Sequence, residues 1–329
     1  MISQTALEFA AENYGFDPAT LERIPRDSGK VMNEVYTFSK DGRKYLLKFE
    51  PPSAEHKHPV RETSAAMDFN HYLYERRVSV AAPLKSNDGE LVNITIDSNV
   101  VYITTAFACL NGRTWGYDGG SAKLSFTWGR VMGDMHRAAK DYVPSNDYDV
   151  QKDIFDGYYW GSFFGALKTY PGVYKIAQEV QNEIAALPRD RDAFGVIHGD
   201  LHQGNFFVDG DNITIIDFGD SIYGWYALDI AISLCHALWW SRRDGAGHDC
   251  TSSIIENFMS GYLSANSLSA YWISKLPLFM KYRHLCMDPE KNGLGCDRER
   301  WIYNIENDIL FDGFELKRVP QIITRESST

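Results

Sequence analysis

The chain has 329 residues, of which 44% are hydrophobic and 23% are charged, as in an ordinary globular protein. This length suffices for two lobes or domains with buried cores. Its 33 basic and 44 acidic side chains give a formal net charge of -11, which argues against nonspecific nucleic-acid binding, because that requires a basic surface. The acidic balance suits solubility, and it could also attract a cationic substrate.

The amino terminus shows no basic segment followed by an apolar run, so we expect no secretory signal. The most apolar stretch, 227–240, is interrupted by Asp229 and His236, and its fourteen residues are too few to span a bilayer. The five cysteines include no Cys-x-x-Cys pair, and their odd number favours reduced thiols. These features predict a cytoplasmic protein without membrane segments.

The first third of the sequence predicts an antiparallel sheet with one inserted helix. Its elements in chain order are a helix at 5–13, strands at 34–38 and 44–49, a helix at 61–77, and strands at 90–96 and 100–105. The dipeptide Asp41-Gly42, between the first two strands, is a strong signal for a tight hairpin turn.

Beyond residue 110 the patterns are mostly helical. Amphipathic helices are predicted at 124–135 and 173–187, a strand-rich interlude covers 194–218, and the remainder is largely helical. Strands first and helices later indicate an α+β protein of two lobes, which we divide after residue 108.

One predicted hairpin in the second lobe carries the most informative side chains. Residues 213–216 are apolar and β-branched, and 206–208 are their expected partner strand. Asp200 and Asn205 precede this hairpin and Asp217 follows it, so all three should converge at one end of it. Carboxylate and amide oxygens suit Mg²⁺ rather than zinc. Phosphoryl transfer needs such a metal together with a carboxylate that orients the attacking hydroxyl.

The same segment carries a family resemblance. His198-Gly-Asp-Leu-His-Gln-Gly-Asn205, followed by Ile216-Asp-Phe-Gly219, resembles the catalytic and metal-binding motifs of the aminoglycoside phosphotransferase and choline kinase superfamily, which is related to protein kinases. The resemblance implies a two-lobed, protein-kinase-like fold with a small antiparallel-sheet N-lobe and a larger, mostly helical C-lobe. Residues 1–108 would then form the nucleotide-binding lobe, and residues 109–329 the catalytic and acceptor-binding lobe.

The resemblance also implies a reaction and its residues. The enzyme would be a Mg²⁺-dependent kinase that moves the γ-phosphoryl group of ATP to a hydroxyl group. Asp200 would be the catalytic base, and Asn205 and Asp217 would hold Mg²⁺. His198 and His202 could instead suggest zinc, but no third soft ligand lies near them in the sequence. The family resemblance implies that these two histidines brace the loop.

The first lobe should bind the nucleotide. Ser28-Gly-Lys-Val-Met-Asn33 resembles a loose version of the phosphate-covering loop, with Gly29 and Asn33 as its candidate residues. Lys48 fits the strand lysine that reaches the phosphates, and Glu62 is its expected carboxylate partner, with Glu75 as the alternative. The segment from Thr104 onward resembles the hinge whose backbone meets adenine, and its candidate residues are Thr105, Phe107 and Ala108.

The acceptor stays open at this level. Aromatic side chains after residue 220 could enclose a cation, or they could simply be core. Choline-like amines, amino sugars, amino alcohols and protein Ser or Thr are all compatible with the resemblance. A catalytically silent, nucleotide-binding scaffold is the main alternative, although the presence of Asp200, Asn205, Asp217 and Lys48 argues against it. A metal-dependent phosphohydrolase would need a cluster of His and Asp ligands and a Gly-Asn-His signature, which the sequence lacks.

Overall fold

The structure is a computed structural model that describes residues 2–25, 33–50, 59–115, 121–145, 151–155, 167–243, 249–287, 297–311 and 313–325. The chain forms two compact units. The first is Met1–Asn111 with Val143–Gln151, and the second is Gly112–Tyr142 with Lys152–Thr329. The predicted division after residue 108 stays a prediction.

The described helices agree with the predicted increase in helical content along the chain. They are α1 Gln4–Tyr14, α2 Pro59–Glu75, α3 Ala122–Ala139, α4 Pro171–Ala185, α5 Tyr226–Arg243, α6 Asp249–Ala265, α7 Ala270–Cys286, α8 Arg298–Glu306 and α9 Arg318–Arg325. None of these helices, within the described ranges, is long and apolar enough to cross a membrane.

The strands form one larger antiparallel sheet in the first unit and small pairings in the second. The first sheet contains β1 Glu22–Arg23, β2 Glu34–Lys40, β3 Arg43–Glu50, β4 Pro83–Leu84, β5 Asn93–Asp97 and β6 Val100–Ala108, in the order β1-β2-β3-β6-β4 with β5 also paired to β6. The second unit contains β7 Arg113–Thr114, β8 Phe194–Ile197, β9 Phe206–Asp209, β10 Asn212–Ile215, β11 Ile222–Trp225, β12 Ile309–Leu310 and β13 Phe314–Glu315. Together these elements confirm the α+β class.

Local sequence explains the first hairpin. Asp41 and Gly42 have φ of 51° and 72°, the positive values that a type I′ turn requires, and this turn matches the twist of the two strands that it joins. The strands pair from Glu34 opposite Phe49 to Lys40 opposite Arg43. The Asp41-Gly42 turn therefore fixes the register that decides the face of each β3 side chain.

Helix α1 covers one face of the first sheet. The side chain of Ser3 caps its start by accepting from the Ala6 N–H at 3.2 Å, and Gly15 ends it in the left-handed conformation at φ 65°. Its buried side chains pack against alternate strand residues, among them Leu47 and Phe49 of β3. The intervening β3 residue, Lys48, therefore belongs to the opposite face of the sheet.

The second unit is held together by a very close packing of α3 against α6. A Cβ atom at Gly129 of α3 would overlap the carbonyl oxygen of Phe258, and one at Gly261 of α6 would overlap the carbonyl oxygen of Phe126. The two helix backbones therefore touch at positions where a side chain cannot be accommodated without moving one helix.

We predict that Gly261→Ala lowers the free energy of unfolding by roughly 2–4 kcal/mol, because its methyl group would force α3 and α6 apart. Gly172→Ala is the matched control. Gly172 lies in the first turn of α4, and the nearest atom to an added Cβ would be 3.5 Å away in Glu306. This control should be neutral or stabilising by up to about 1 kcal/mol. Urea unfolding measures both, and equal effects of the two substitutions would contradict the close packing.

Candidate active site

The loop that carries Asp200 follows β8 and is held by a buried carboxylate. Asp229 of α5 accepts hydrogen bonds from the backbone N–H groups of His198 at 2.9 Å and Gly199 at 3.0 Å. The Asp229 side chain is fully buried, so its two oxygens are shielded from competing water. This arrangement fixes the backbone immediately before Asp200.

A chain of hydrogen bonds from α6 and α3 leads to Asp229. Asn266 donates to the Tyr262 hydroxyl at 3.1 Å, the hydroxyl contacts Nδ1 of His136 at 3.1 Å, and Nε2 of His136 contacts Asp229 at 3.0 Å. Burial lowers the pKa of His136, so its ring is neutral, with one nitrogen donating and the other accepting. The network is satisfied when Nε2–H donates to Asp229 and Nδ1 accepts from Tyr262.

The Asp200 carboxylate lies between the guanidinium of Arg283 and the imidazole ring of His202. Its Oδ1 accepts from Nη2 of Arg283 at 2.7 Å, and its Oδ2 lies 3.4 Å from Nε2 of His202. Burial alone would raise the pKa of Asp200, but the His202 hydrogen bond and the Arg283 charge outweigh burial and hold that pKa well below its usual range. The Asp200 side chain is 25% exposed, so an ionised carboxylate remains accessible to a small molecule.

His236 of α5 completes the surroundings of Asp200. Its Nε2 lies 2.7 Å from Nη2 of Arg283, and its ring stacks on that of His202 at 4.9 Å between centroids. Burial, with the adjacent Arg283 charge, lowers the pKa of His236 well below its usual range, so Nε2 accepts from the guanidinium. In His202, Nδ1 accepts from the Gly204 N–H at 2.9 Å, which leaves the Nε2 proton facing Asp200.

The structure brings Asn205 and Asp217 close to the same loop. Asn205 donates from its side-chain nitrogen to the Asp200 carbonyl at 2.9 Å, so its amide oxygen is the remaining ligand atom. The backbone oxygen of Asn205 accepts from the N–H of Ile216 at 2.9 Å, which brings the next residue, Asp217, beside it. An amide oxygen and a carboxylate fit Mg²⁺, which takes its other ligands from phosphates and water in phosphoryl-transfer sites.

The candidate nucleotide residues in the first unit form a separate group. Lys48 pairs with Glu50 at 3.0 Å between Nζ and Oε1. With its amide turned to satisfy both neighbours, Asn33 accepts from Nζ of Lys48 at 2.9 Å and donates to Glu50 at 2.6 Å. Glu62 lies in the first turn of α2, and Gly29 lies outside the described residues.

The three candidate hinge residues lie within strand β6. Thr105 is buried and directly opposite Lys48, and Phe107 is opposite Leu46, so Thr105 and Phe107 share the face of Lys48. The backbone N–H of Ala108 donates to the Ala82 carbonyl at 2.9 Å and is therefore engaged within the sheet.

Sequence reasoning missed three residues that surround the candidate groups. Glu50 lies two residues after Lys48 on the same strand face, and strand alternation could have identified it. Arg283 and His236 have no local signal, because they reach Asp200 from distant helices. Most of the aromatic residues after position 220 belong to the core, and Trp225 and Tyr226 among them are fully buried.

A zinc site and a metal-dependent phosphohydrolase site, the two alternatives raised by the sequence, would each need a cluster of ligand side chains. Within the described ranges, no three His, Cys, Asp or Glu side chains are gathered so that they could hold a metal ion. In particular, His198 and His202 serve the loop. His198 Nε2 contacts the Ile216 carbonyl at 3.0 Å, and His202 caps the turn at Gly204.

The α+β fold and the residues around Asp200 are those expected of a protein-kinase-like phosphotransferase, and comparison with known proteins gives the family. Residues 23–267 match the model of the phosphotransferase enzyme family, so the chain belongs to that family. Over 301 residues it is 29% identical to the amicoumacin kinase of Bacillus subtilis (strain 168), covering 86% of this chain and 82% of that protein. The family resemblance carried by the sequence motifs is thereby confirmed.

Solved structures confirm the fold. Amicoumacin kinase hAmiN in complex with AMP-PNP, Ca²⁺ and Ami matches with a TM-score of 0.80 at 22% identity, covering 97% of each chain. A microcompartment-associated aminopropanol kinase matches with a TM-score of 0.68 at 20% identity, covering 92% of this chain and 94% of that one. The family match and the similarity to amicoumacin kinase support a kinase, and the catalytically silent scaffold is not favoured.

We predict that Asp229→Asn destabilises the protein by about 2–4 kcal/mol, because an amide has one acceptor oxygen where two buried backbone N–H groups and His136 need acceptors. Asp134→Asn on α3 is the matched control, since Asp134 pairs at the surface with Arg137 at 2.6 Å and has no other side-chain pair among the described residues. Its effect should stay within about 0.5 kcal/mol. Guanidinium unfolding measures both, and a neutral Asp229→Asn would remove Asp229 as the support of the loop.

Proposed function

We propose that this chain transfers the γ-phosphoryl group of ATP to a hydroxyl of a small molecule, with Asp200 as the catalytic base. The observation that carries this proposal is the position of Asp200. It is an ionised, partly exposed carboxylate in a loop with fixed backbone, next to the oxygen ligands of Asn205 and Asp217.

In this proposal Asp200 orients the acceptor hydroxyl and accepts its proton. The transition state of phosphoryl transfer is loose in most analyses, so the proton leaves the hydroxyl late and the orientation of the base matters more than its basicity. A low pKa of Asp200 is compatible with this role, because the carboxylate is then ionised at every physiological pH.

Asn205 and Asp217 are the proposed ligands of Mg²⁺. Bound Mg²⁺ supplies charge neutralisation of the phosphates. The hydrogen bond from Asn205 to the Asp200 carbonyl keeps the amide oxygen turned away from the loop backbone. The proposed ligand Asn205 and the proposed base Asp200 thus belong to one loop.

Lys48 is the proposed phosphate-binding cation, and Asn33 and Glu50 hold it in place. We assign Gly29 to the phosphate-covering loop and Glu62 to the support of Lys48, as the family resemblance implies. For adenine we propose the segment of β6 with Thr105, Phe107 and Ala108, in which Thr105 and Phe107 share the face of Lys48. Residues 1–108 would then contribute the nucleotide-binding groups and residues 109–329 the catalytic ones.

For the acceptor, we propose a small hydroxyl compound of the kind handled by the amicoumacin and aminopropanol kinases, which this chain resembles. Trp239, which is partly exposed and packs edge-on against His236 at 5.8 Å, is a candidate wall of the acceptor site. We further propose that the enzyme works in the cytoplasm without nucleic-acid partners, in keeping with its net charge of -11.

We predict that Asp217→Ala weakens ATP binding at saturating Mg²⁺ by at least about tenfold, or 1.4 kcal/mol, because a metal ligand is lost. Without Mg²⁺ the variant and the wild type should bind ATP alike. Asp211→Ala is the control from the same hairpin, since its exposed carboxylate pairs only with Lys123 at 2.5 Å among the described contacts. Isothermal titration decides, and an unchanged metal dependence in Asp217→Ala would remove the ligand assignment.

The central test is Asp200→Asn. We predict that it lowers kcat by about 10²- to 10⁴-fold, because asparagine keeps the shape of the side chain but cannot accept the proton. ATP affinity should stay within about twofold, since the nucleotide and metal are held by other residues. The assay is ADP release with a panel containing amicoumacin, aminopropanol, homoserine, choline and an aminoglycoside.

Asp211→Asn serves as the control for that assay and should transfer phosphate like the wild type. If Asp200→Asn keeps near wild-type kcat with the acceptor that the panel identifies, Asp200 is not the base. If the wild type binds Mg²⁺-ATP but no member of the panel is phosphorylated, the proposed acceptor class is wrong.

A further inference from the structure

The carboxylate of Asp200 forms a closed ring of contacts with three other side chains. Starting from Oδ1 of Asp200, the ring passes through Nη2 of Arg283 at 2.7 Å and Nε2 of His236 at a further 2.7 Å. It then crosses the stacked rings of His236 and His202 and returns to Oδ2 of Asp200 at 3.4 Å. Both carboxylate oxygens are therefore held, from opposite sides.

The ring is anchored to rigid elements and does not depend on surface side chains. His236 lies on α5, which also binds the loop through Ser233, whose hydroxyl donates to the Leu201 carbonyl at 2.6 Å. Arg283 lies on α7, next to α5, and the two helices are linked by Cys235, whose thiol contacts the Met280 carbonyl at 3.7 Å. The Arg283 side chain is only 16% exposed.

We propose that Arg283 and His236 are positioning residues of this kinase, which hold the carboxylate of Asp200 in the orientation required by the acceptor hydroxyl. This role rests on the proposed function, in which Asp200 is the base. Arg283 acts directly on Oδ1, and His236 acts through Arg283 by accepting its second Nη2 hydrogen bond.

The chemistry of the two residues suits these roles, in which Arg283 contacts Asp200 and His236 holds Arg283. A single Nη2 atom carries two N–H groups, and these reach one charged and one neutral acceptor, so the guanidinium is fixed in position rather than free to rotate. A neutral His236 is required, because a protonated imidazole would offer Arg283 no acceptor. Reduced rotational freedom of the base matters for rate, since a misplacement of about 1 Å can cost about 100-fold.

The test separates positioning from a purely structural role by two measurements. In steady-state kinetics, Arg283→Gln should lower kcat by about 10- to 100-fold while the KM for ATP stays within about twofold. Arg283→Lys keeps the charge and one or two of the donors, so it should restore part of that loss. His236→Leu should lower kcat by less than Arg283→Gln, because it removes the support of Arg283 and leaves the contact with Asp200.

Lys281→Gln is the matched control. Lys281 is a cation on the same helix, two residues from Arg283, and it pairs with Asp308 at 2.5 Å. The variant should behave as the wild type in kcat and in KM.

If no acceptor of the panel is phosphorylated, the slow transfer of the γ-phosphoryl group to water is measured instead for the wild type and for every variant.

The second measurement needs no catalysis. Thermal unfolding of Asp200→Asn, Arg283→Gln and the double variant, all without nucleotide, forms a double-mutant cycle. If the two side chains act as one unit, the loss of Tm in the double variant is smaller than the sum of the two single losses.

The outcomes are distinct. A coupled cycle with the expected kcat loss supports the proposal. An additive cycle, an unchanged kcat in Arg283→Gln, or a change confined to the KM for ATP overturns it, and in the last case Arg283 belongs to the nucleotide site. A wild type that fails to bind Mg²⁺-ATP would remove the proposed function and this role with it, whatever the unfolding cycle shows.

Discussion

The backbone of the loop before Asp200 depends on one buried carboxylate. The N–H groups of His198 and Gly199 point inward, and both donate to Asp229. Leaving a buried N–H without a partner costs about 1–3 kcal/mol, so this segment could not hold its conformation if Asp229 were removed. Each of these three contacts brings a donor to Asp229, so both of its oxygens serve as acceptors. The loop geometry is thus set by α5 and, through His136, by α3.

The charge around Asp200 differs from that of the protein as a whole. The chain has a net charge of -11, yet the candidate base is compensated at 2.7 Å by Arg283. An acceptor therefore meets a nearly neutral pair and not an isolated carboxylate. This arrangement weakens the argument that a cationic acceptor is drawn in by the base itself, and it makes the orientation of the hydroxyl the main contribution of Asp200.

Short sequence patterns were sufficient to predict the two hairpins, because the residues that determine each hairpin are close together in the chain. The Asp41-Gly42 turn predicted the first hairpin, and Asn205 and Asp217 were predicted to lie at one end of the second, where the Asn205–Ile216 hydrogen bond now brings them together. Their catalytic roles stay predictions. Contacts between distant segments could not be read in this way. Arg283 is 83 residues from Asp200, and its approach depends on how α7 packs beside α5, which no short pattern encodes.

The carboxylate beside Lys48 shows that the sequence held a local signal that was not used. The family resemblance directed attention to a carboxylate on α2, Glu62, and its role as a partner of Lys48 stays a prediction. The strand itself also provides Glu50 at 3.0 Å. A strand of period two places residues i and i+2 on one face, so this pair was accessible to simple alternation. Asn33, predicted as a nucleotide residue, contacts both Lys48 and Glu50 in the orientation that satisfies its amide. Lys48, the proposed phosphate-binding cation, is thus already held by Glu50 of its own strand and by Asn33, directly before β2.

Asp217 shows how the fold accepts a local cost at the candidate metal site. Its φ of 62° and ψ of 68° are left-handed, a conformation that costs a residue other than glycine about 1 kcal/mol or more. The bond from Ile216 to Asn205 holds the residue before it, and the short helical turn Phe218–Asp220 holds the residues after it. The backbone is therefore fixed on both sides of Asp217, directly after β10 and next to the residue that donates to Asn205. An extended residue at this position would direct the chain away from Asn205, and the two proposed Mg²⁺ ligands would lie apart.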